Sequence, residues 1–231
     1  MYHHISYIIK ELFRIDWTNT FRFNFKYFPL KVAILFPCLL YRAKIIALKG
    51  RVELIPPIHT GMVRLGINRV PINQDNIGFV YENLGGCLRI GKGVLGSGSA
   101  ISIQKAAKLT INEYFSGTSR AKFVCADEIV IGKHFTFGWE GLIMDTDWHS
   151  TYNISSKKYS QKSKNITIGD YVWLATGVSV MKGSKIPNYS IIAGKSLVNR
   201  QFEEECALYA GTPAKLIKAG LVRDDIVPFL K

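Results

Sequence analysis

Six aliphatic residues, Ile168, Leu174, Val180, Ile186, Ile192 and Val198, stand six positions apart in "ITIGDYVWLATGVSVMKGSKIPNYSIIAGKSLVNR". A helix repeats every 3.6 residues and a coiled coil every 3.5, so neither returns to the same phase at a spacing of six. Two residues before each of these comes a second inward candidate, the set Ile166, Val172, Val178, Ser184, Ser190 and Ser196. A spacing of two is the alternation of a strand. The residues that follow the aliphatics, Gly169, Ala175, Met181, Pro187, Ala193 and Asn199, are mostly small or turn-forming. A period of two nested in a period of six predicts an all-β solenoid, in which short strands separated by corners stack their aliphatics into one inward ladder. These aliphatics are core and carry no chemistry.

The same spacing recurs upstream with interruptions: Ile131, Phe137 and Ile143; Phe123, Ile129 and Phe135; Ile103, Leu109 and Phe115. Each jump of phase implies a loop. The longest break, residues 145–165, is polar and carries no hexad, so it is expected to leave the coil as an excursion. The glycine-rich "GGCLRIGKGVLGSGSAISI" extends the coil back to Gly85, and a weaker periodicity places its start near Val52. The expected organisation is an N-terminal helical cap over 1–51, a repeat domain over 52–200, and a C-terminal tail or short helix over 201–231. At 231 residues and 48% apolar composition, the chain can bury one such core.

Charge and cysteine usage narrow the class. Thirty Lys and Arg against 17 Asp and Glu give a formal charge of +13, which favours anionic company. No zinc-finger, helix-turn-helix or RNA-binding pattern accompanies it, and nucleic acid ranks last among such partners. Four widely spaced cysteines without C-x-x-C pairing signal neither zinc nor a disulfide framework, and fit a reducing, cytoplasmic setting. Charged residues break the apolar character of the N-terminus, unlike a secretory signal, and "VAILFPCLLY" is too short to span a bilayer. In "ISYIIKELFRI", Ile5, Ile8, Ile9, Leu12 and Phe13 share one helical face, as expected of a cap. The basic and aromatic character of the first 49 residues also suits a peripheral position on an inner membrane surface, near a lipid-linked saccharide.

The segment "MDTDWHS" follows the last upstream hexad. Imidazole is suited to take a proton because its pKa lies near working pH. A local loop role is the plain alternative for His149. Asp145, Asp147 and His149 are spaced two apart, so on an extended segment they would share a side, and either aspartate would orient the ring; as loop residues they would instead form Asx-turns. Trp148 and Trp139 offer aromatic faces suited to a sugar, or to packing, and Glu140 is a further carboxylate near the same turn.

Three features together, the hexad array, "DTDWH" and the tail "GTPAKLI", make the chain resemble the bacterial hexapeptide-repeat acyltransferases, and among them the capsule and colanic-acid type sugar O-acetyltransferases. The resemblance implies a left-handed parallel β-helix, a homotrimer, and acetyl-CoA in the groove between neighbouring prisms. It implies His149 as general base for transfer of acetyl from the thioester to a sugar hydroxyl. It places Ala175 and Ala193 beside the pantetheine, Trp173 beside the groove, and Asn199, Arg200 and Lys215 toward the nucleotide phosphates. Ala175 stands where the family more often has glycine. N-acetylation of an amino sugar and a non-catalytic saccharide-binding or scaffolding solenoid remain the alternatives. A metal is not required: zinc chemistry on this kind of solenoid would need three histidines, and only His134 and His149 lie in the clear repeats.

Overall fold

The computed structural model describes residues 12–229 apart from 69, 71 and 73–76. Within them the chain winds as a left-handed parallel β-helix of triangular section, each coil laying one short strand on each of three faces. Face 1 runs from Cys38–Leu40 through Val63–Ile67, Gly93–Gly96, Phe115–Ser119, Thr136–Trp139, Trp173–Leu174 and Ile191–Ile192 to Ala207–Gly211. Face 2 runs from Ala43–Leu48 to Leu197–Val198, and face 3 from Arg51–Leu54 to Lys185–Ile186. Every pairing within these three stacks is parallel except the final Ala207–Gly211 with Ala214–Ala219.

The inward positions read from the hexads are core. Ile168, Leu174, Val180, Ile186, Ile192 and Val198 are buried, as are their partners two residues earlier. Three of those partners are serines, and they are satisfied within the wall: Ser184 and Ser190 donate to the carbonyls of Met181 and Pro187, and Ser196 accepts from the Gly211 amide. Midway along the axis the core widens into aromatic layers, with Phe123, Phe135 and Phe137 almost wholly enclosed. Short strands need sharp corners, and the chain makes them with left-handed residues: Arg120, Glu140, Gly177 and Lys195 between faces 1 and 2, and Tyr114, His134, Tyr171 and Tyr189 between faces 3 and 1. Non-glycine residues seldom adopt that conformation. Here coil-to-coil hydrogen bonds hold them, as in Lys195 N–H to Thr176 and Tyr189 N–H to Asp170.

Register explains why the repeat is plain only near the C-terminus. Trp173 and Ile191 are partners 18 residues apart, three hexads, whereas Val63 and Gly93 are partners 30 apart and Thr136 and Trp173 are 37 apart. Most extra residues sit in corners and shift the phase there, while two, Ile46 and Gly66, are bulges within a face. The coil consequently starts at Cys38, earlier than the expected Val52, because its first strands pair with Val63–Ile67 and Phe79–Asn83 across such insertions.

The open end of the coil is closed by a helix, α1, Trp17–Tyr27. Its inward face is largely polar. Asn24 accepts from the Cys38 amide and donates to the Cys38 carbonyl, Thr20 accepts from Leu40, and Asp16 both caps the helix and accepts from Ala43. These side chains supply the partners that a preceding coil would have given, alongside the buried ring of Phe23. The expected cap face of Ile5, Ile8 and Ile9 lies outside the described residues. At the other end, the antiparallel strand Ala214–Ala219 folds back on Ala207–Gly211, and a short 3₁₀ turn, Asp224–Phe229, follows.

Asn24→Leu keeps the bulk and orphans both polar groups of Cys38, at about 1–3 kcal/mol for each buried group left unpaired. The expected outcome is a urea-unfolding free energy lower by about 2–6 kcal/mol, with faster amide exchange at Cys38.

Candidate functional site

The excursion is a built structure. Asp145 closes the coil before it and Asn165 re-enters after it. Between them Asp147 N–H donates to Lys162, Lys164 N–H donates to Asp145, and Thr146 bridges Ser163, so the two legs of the neck are paired. Its outer part is a two-stranded hairpin, Tyr152–Asn153 with Lys158–Tyr159, with the two tyrosine rings in contact. The loop stands on the edge between faces 2 and 3.

The three residues of the expected constellation are separated by this geometry. Asp145 is buried and turned into the wall, accepting from the amides of Ala126 and Asp127 at 2.7 and 2.9 Å and from the Cys125 thiol. Burial raises its pKa, outweighing those amide donations, which lower it. It braces a corner and does not meet the histidine ring. Asp147 is exposed and pairs with Lys182 at 2.6 Å. His149 is exposed, and among the described residues its ring makes no hydrogen bond or ion pair. Trp148 beside it is left-handed, its amide donates to Thr146, and its side chain is 46% exposed.

Lys182 was not visible as a site residue in the sequence, where it is one corner lysine among many. It lies one coil beyond the neck and its ammonium reaches both Asp147 and the carbonyl of Gln161 at 2.6 Å. One cation thus ties the start of the excursion to its return leg. The buried Thr146, which holds Trp148 and donates to Lys162, was also missed.

The remaining candidates fall in two places. Asn199 and Arg200 are exposed on the same edge as the excursion, with Arg200 accepting from the Lys185 amide. Arg200 and Lys215 line one open cleft of 370 Å³, which Glu203 and Glu204 share, so the two cations meet there in a mixed field. Trp139, Glu140, Ala175 and Ala193 are instead stacked along the edge between faces 1 and 2, on the far side of face 2, with Trp173 on face 1. Glu140 is paired with Arg120 of the preceding coil at 2.9 Å. The amides of Ala175 and Ala193 are spent on the ladder, donating to Ile192 and Tyr209, so among the described residues only their carbonyls are left for a ligand.

His134 and His149 occupy different edges. His134 is stacked between Tyr114 and Tyr171, at ring separations of 4.7 and 4.4 Å, in a corner column that continues to Tyr189. Burial lifts the thiols of Cys38, Cys125 and Cys206 above their ordinary range, with neighbouring carboxylates adding to the effect at the last two. That disfavours the thiolate a covalent mechanism would need.

No family model matches the chain. Among known proteins, the polysialic acid O-acetyltransferase of Escherichia coli O1:K1 / APEC is 31% identical over 94 residues, 41% of this chain and 30% of that protein. The putative lipopolysaccharide biosynthesis O-acetyl transferase WbbJ of Escherichia coli strain K12 is 32% identical over 93 residues, 40% of this chain and 47% of that protein. These matches span less than half of each curated relative. The crystal structure of the polySia specific acetyltransferase NeuO superimposes with a TM-score of 0.54 over 81% of this chain and 88% of that one, at 18% identity.

Lys182→Met removes the tie and leaves the coil intact. Faster amide exchange at Asp147 and Lys164 is expected, with a loss of unfolding free energy below about 1 kcal/mol, as for a partly exposed ion pair. Asp145→Ala orphans two corner amides and is expected to cost about 2 kcal/mol or more in the same urea titration.

Proposed function

We propose that this chain, a β-helix of the hexapeptide-repeat acyltransferase kind, is an acetyl-CoA-dependent O-acetyltransferase acting on a hydroxyl of a saccharide. The observation that carries the reading is His149: an imidazole without a partner among the described residues, held out at a coil edge by a paired and cross-tied excursion, in a chain two of whose aligned relatives are named as O-acetyltransferases of polysialic acid and of lipopolysaccharide biosynthesis. The ring takes the proton of the attacking hydroxyl as the oxygen adds to the thioester carbonyl, and the thiolate of CoA leaves. Asp147, fixed by Lys182, positions the start of the loop that carries it. Trp148 offers a ring face to the sugar.

The division of residues between two edges supports a homotrimer. His149 and Arg200 stand on one edge, Ala175 and Ala193 on another, and face 2 lies between them. One copy does not juxtapose the base with the small-residue edge suited to pantetheine; a neighbour packed edge to edge does. The small side chains admit the cofactor and their carbonyls accept from its amides, while Arg200 and Lys215 meet the phosphates.

Release of CoA thiol from acetyl-CoA across a panel that includes polysialic acid and galactosides tests the activity. His149→Ala is expected to lower kcat by about 10²–10⁴-fold on an active acceptor, the usual contribution of a general base. Unchanged thiol release would remove His149 from that role. Coexpression of His149→Ala with Ala193→Trp tests the shared site. In a randomly mixed cyclic trimer, about a quarter of the sites pair an intact base with an intact groove, so about a quarter of parental activity is expected to return. No recovery from mixed trimers would place base and groove in one copy.

A further inference from the structure

The closing helix is inside out. Its face toward the coil carries Thr20 and Asn24 with Phe23, whereas Trp17, Phe21 and Phe25, spaced four apart, form a stripe on its outer face. Phe21 and Phe25 stack at 5.7 Å, and Phe36 packs edge-on against Phe21 and Trp17. The rings remain open to solvent, Phe21 at 47% and Phe25 at 44%, and Phe13 is 86% exposed just before the helix. Exposed Leu30 and Ile34 follow in the chain. A helix at the end of a solenoid ordinarily turns its apolar side in and its polar side out. Here the polar atoms are needed inside, to pair with the first strand, and that need alone would not place aromatic rings outside.

The surrounding charge identifies what the stripe meets. From Trp17 to Val52 the chain has seven Lys and Arg and no Asp or Glu, and Asp16, which directly precedes the helix, is occupied in capping it. Arg22 and Lys26 are exposed on α1 next to the rings, and Lys31 follows. Aromatic rings with flanking cations, on a helix lying flat across the end of a rigid prism, suit a headgroup layer that takes rings to shallow depth and balances positive charge. Among the described residues no helix is long and apolar enough to cross a membrane, so the contact is one of surface.

We infer that the aromatic stripe of α1, Trp17, Phe21 and Phe25 with Phe36, seats the base of the prism on an anionic lipid bilayer. The inference stands apart from the transfer chemistry.

The test is flotation of the full-length protein with vesicles of phosphatidylcholine alone or mixed with phosphatidylglycerol. Binding to the mixed vesicles, weakened by salt and absent from phosphatidylcholine, is expected, with a blue shift of tryptophan emission that Trp17→Leu reduces. Phe21→Ser/Phe25→Ser and, separately, Arg22→Glu/Lys26→Glu should each weaken binding at least tenfold. The second pair leaves the rings in place, and a thermal melt like the parent's shows that either variant is folded. The inference is overturned if the parent fails to float with anionic vesicles, or if folded Phe21→Ser/Phe25→Ser floats as well as the parent. It is also overturned if that variant changes only the mass in solution and not lipid binding, which would make the stripe a contact between copies.

Discussion

The structure depends on one hydrogen-bonded register: strands of successive coils run parallel, and each coil's amides donate to carbonyls of both the coil before and the coil after. Parallel pairing of this kind satisfies the interior of the stack and leaves its ends unpaired, so the fold needs an end closure. At one end side chains do the work of a missing strand, through Asp16, Thr20 and Asn24. At the other, the chain reverses and the antiparallel strand Ala214–Ala219 closes face 1. The polar inner face of α1 follows from the first of these solutions.

The same ladder explains where variation is tolerated. A face gains a residue only where a bulge absorbs it, as at Ile46 and Gly66, since a plain one-residue slip would turn every inward side chain outward. A corner gains residues more freely, because only the two ends of the insertion must meet the register. The excursion of 145–165 is the largest such insertion in the described coil, and it is held by its own paired neck and by Lys182 from the next coil. The wall is rigid where stacking demands it, and chemistry-bearing groups accumulate along edges. His149 and His134 illustrate the contrast: the first is carried outward on an excursion, while the second is absorbed into a column of stacked corner rings.

Legibility in the sequence followed coil length. Where coils are 18 residues, as from Trp173 to Ile191, the hexads stood out and every inward residue was identified. Where corners hold extra residues, as between Val63 and Gly93, the phase drifted and the beginning of the coil was placed too late, near Val52 instead of Cys38. At the site, the sequence located the excursion and its histidine. It offered Asp147 and Asp145 as partners of that histidine because residues two apart share a side of an extended strand, yet the backbone turns off the face at this point, sending Asp145 into the wall and Asp147 to Lys182.

By itself the sequence determined the period, the inward ladder and the place where the ladder is interrupted, because burial of alternate residues leaves a local mark on the chain. Tertiary structure decided what that mark cannot contain. Lys182 lies 35 residues after Asp147 and becomes its partner only because one coil stacks upon the last. Arg120 and Glu140 meet across a single coil step by the same rule. Which edge each candidate occupies depends on the summed length of every corner before it, a quantity with no local signature. That sum sets His149 and the two alanines on different edges of the prism.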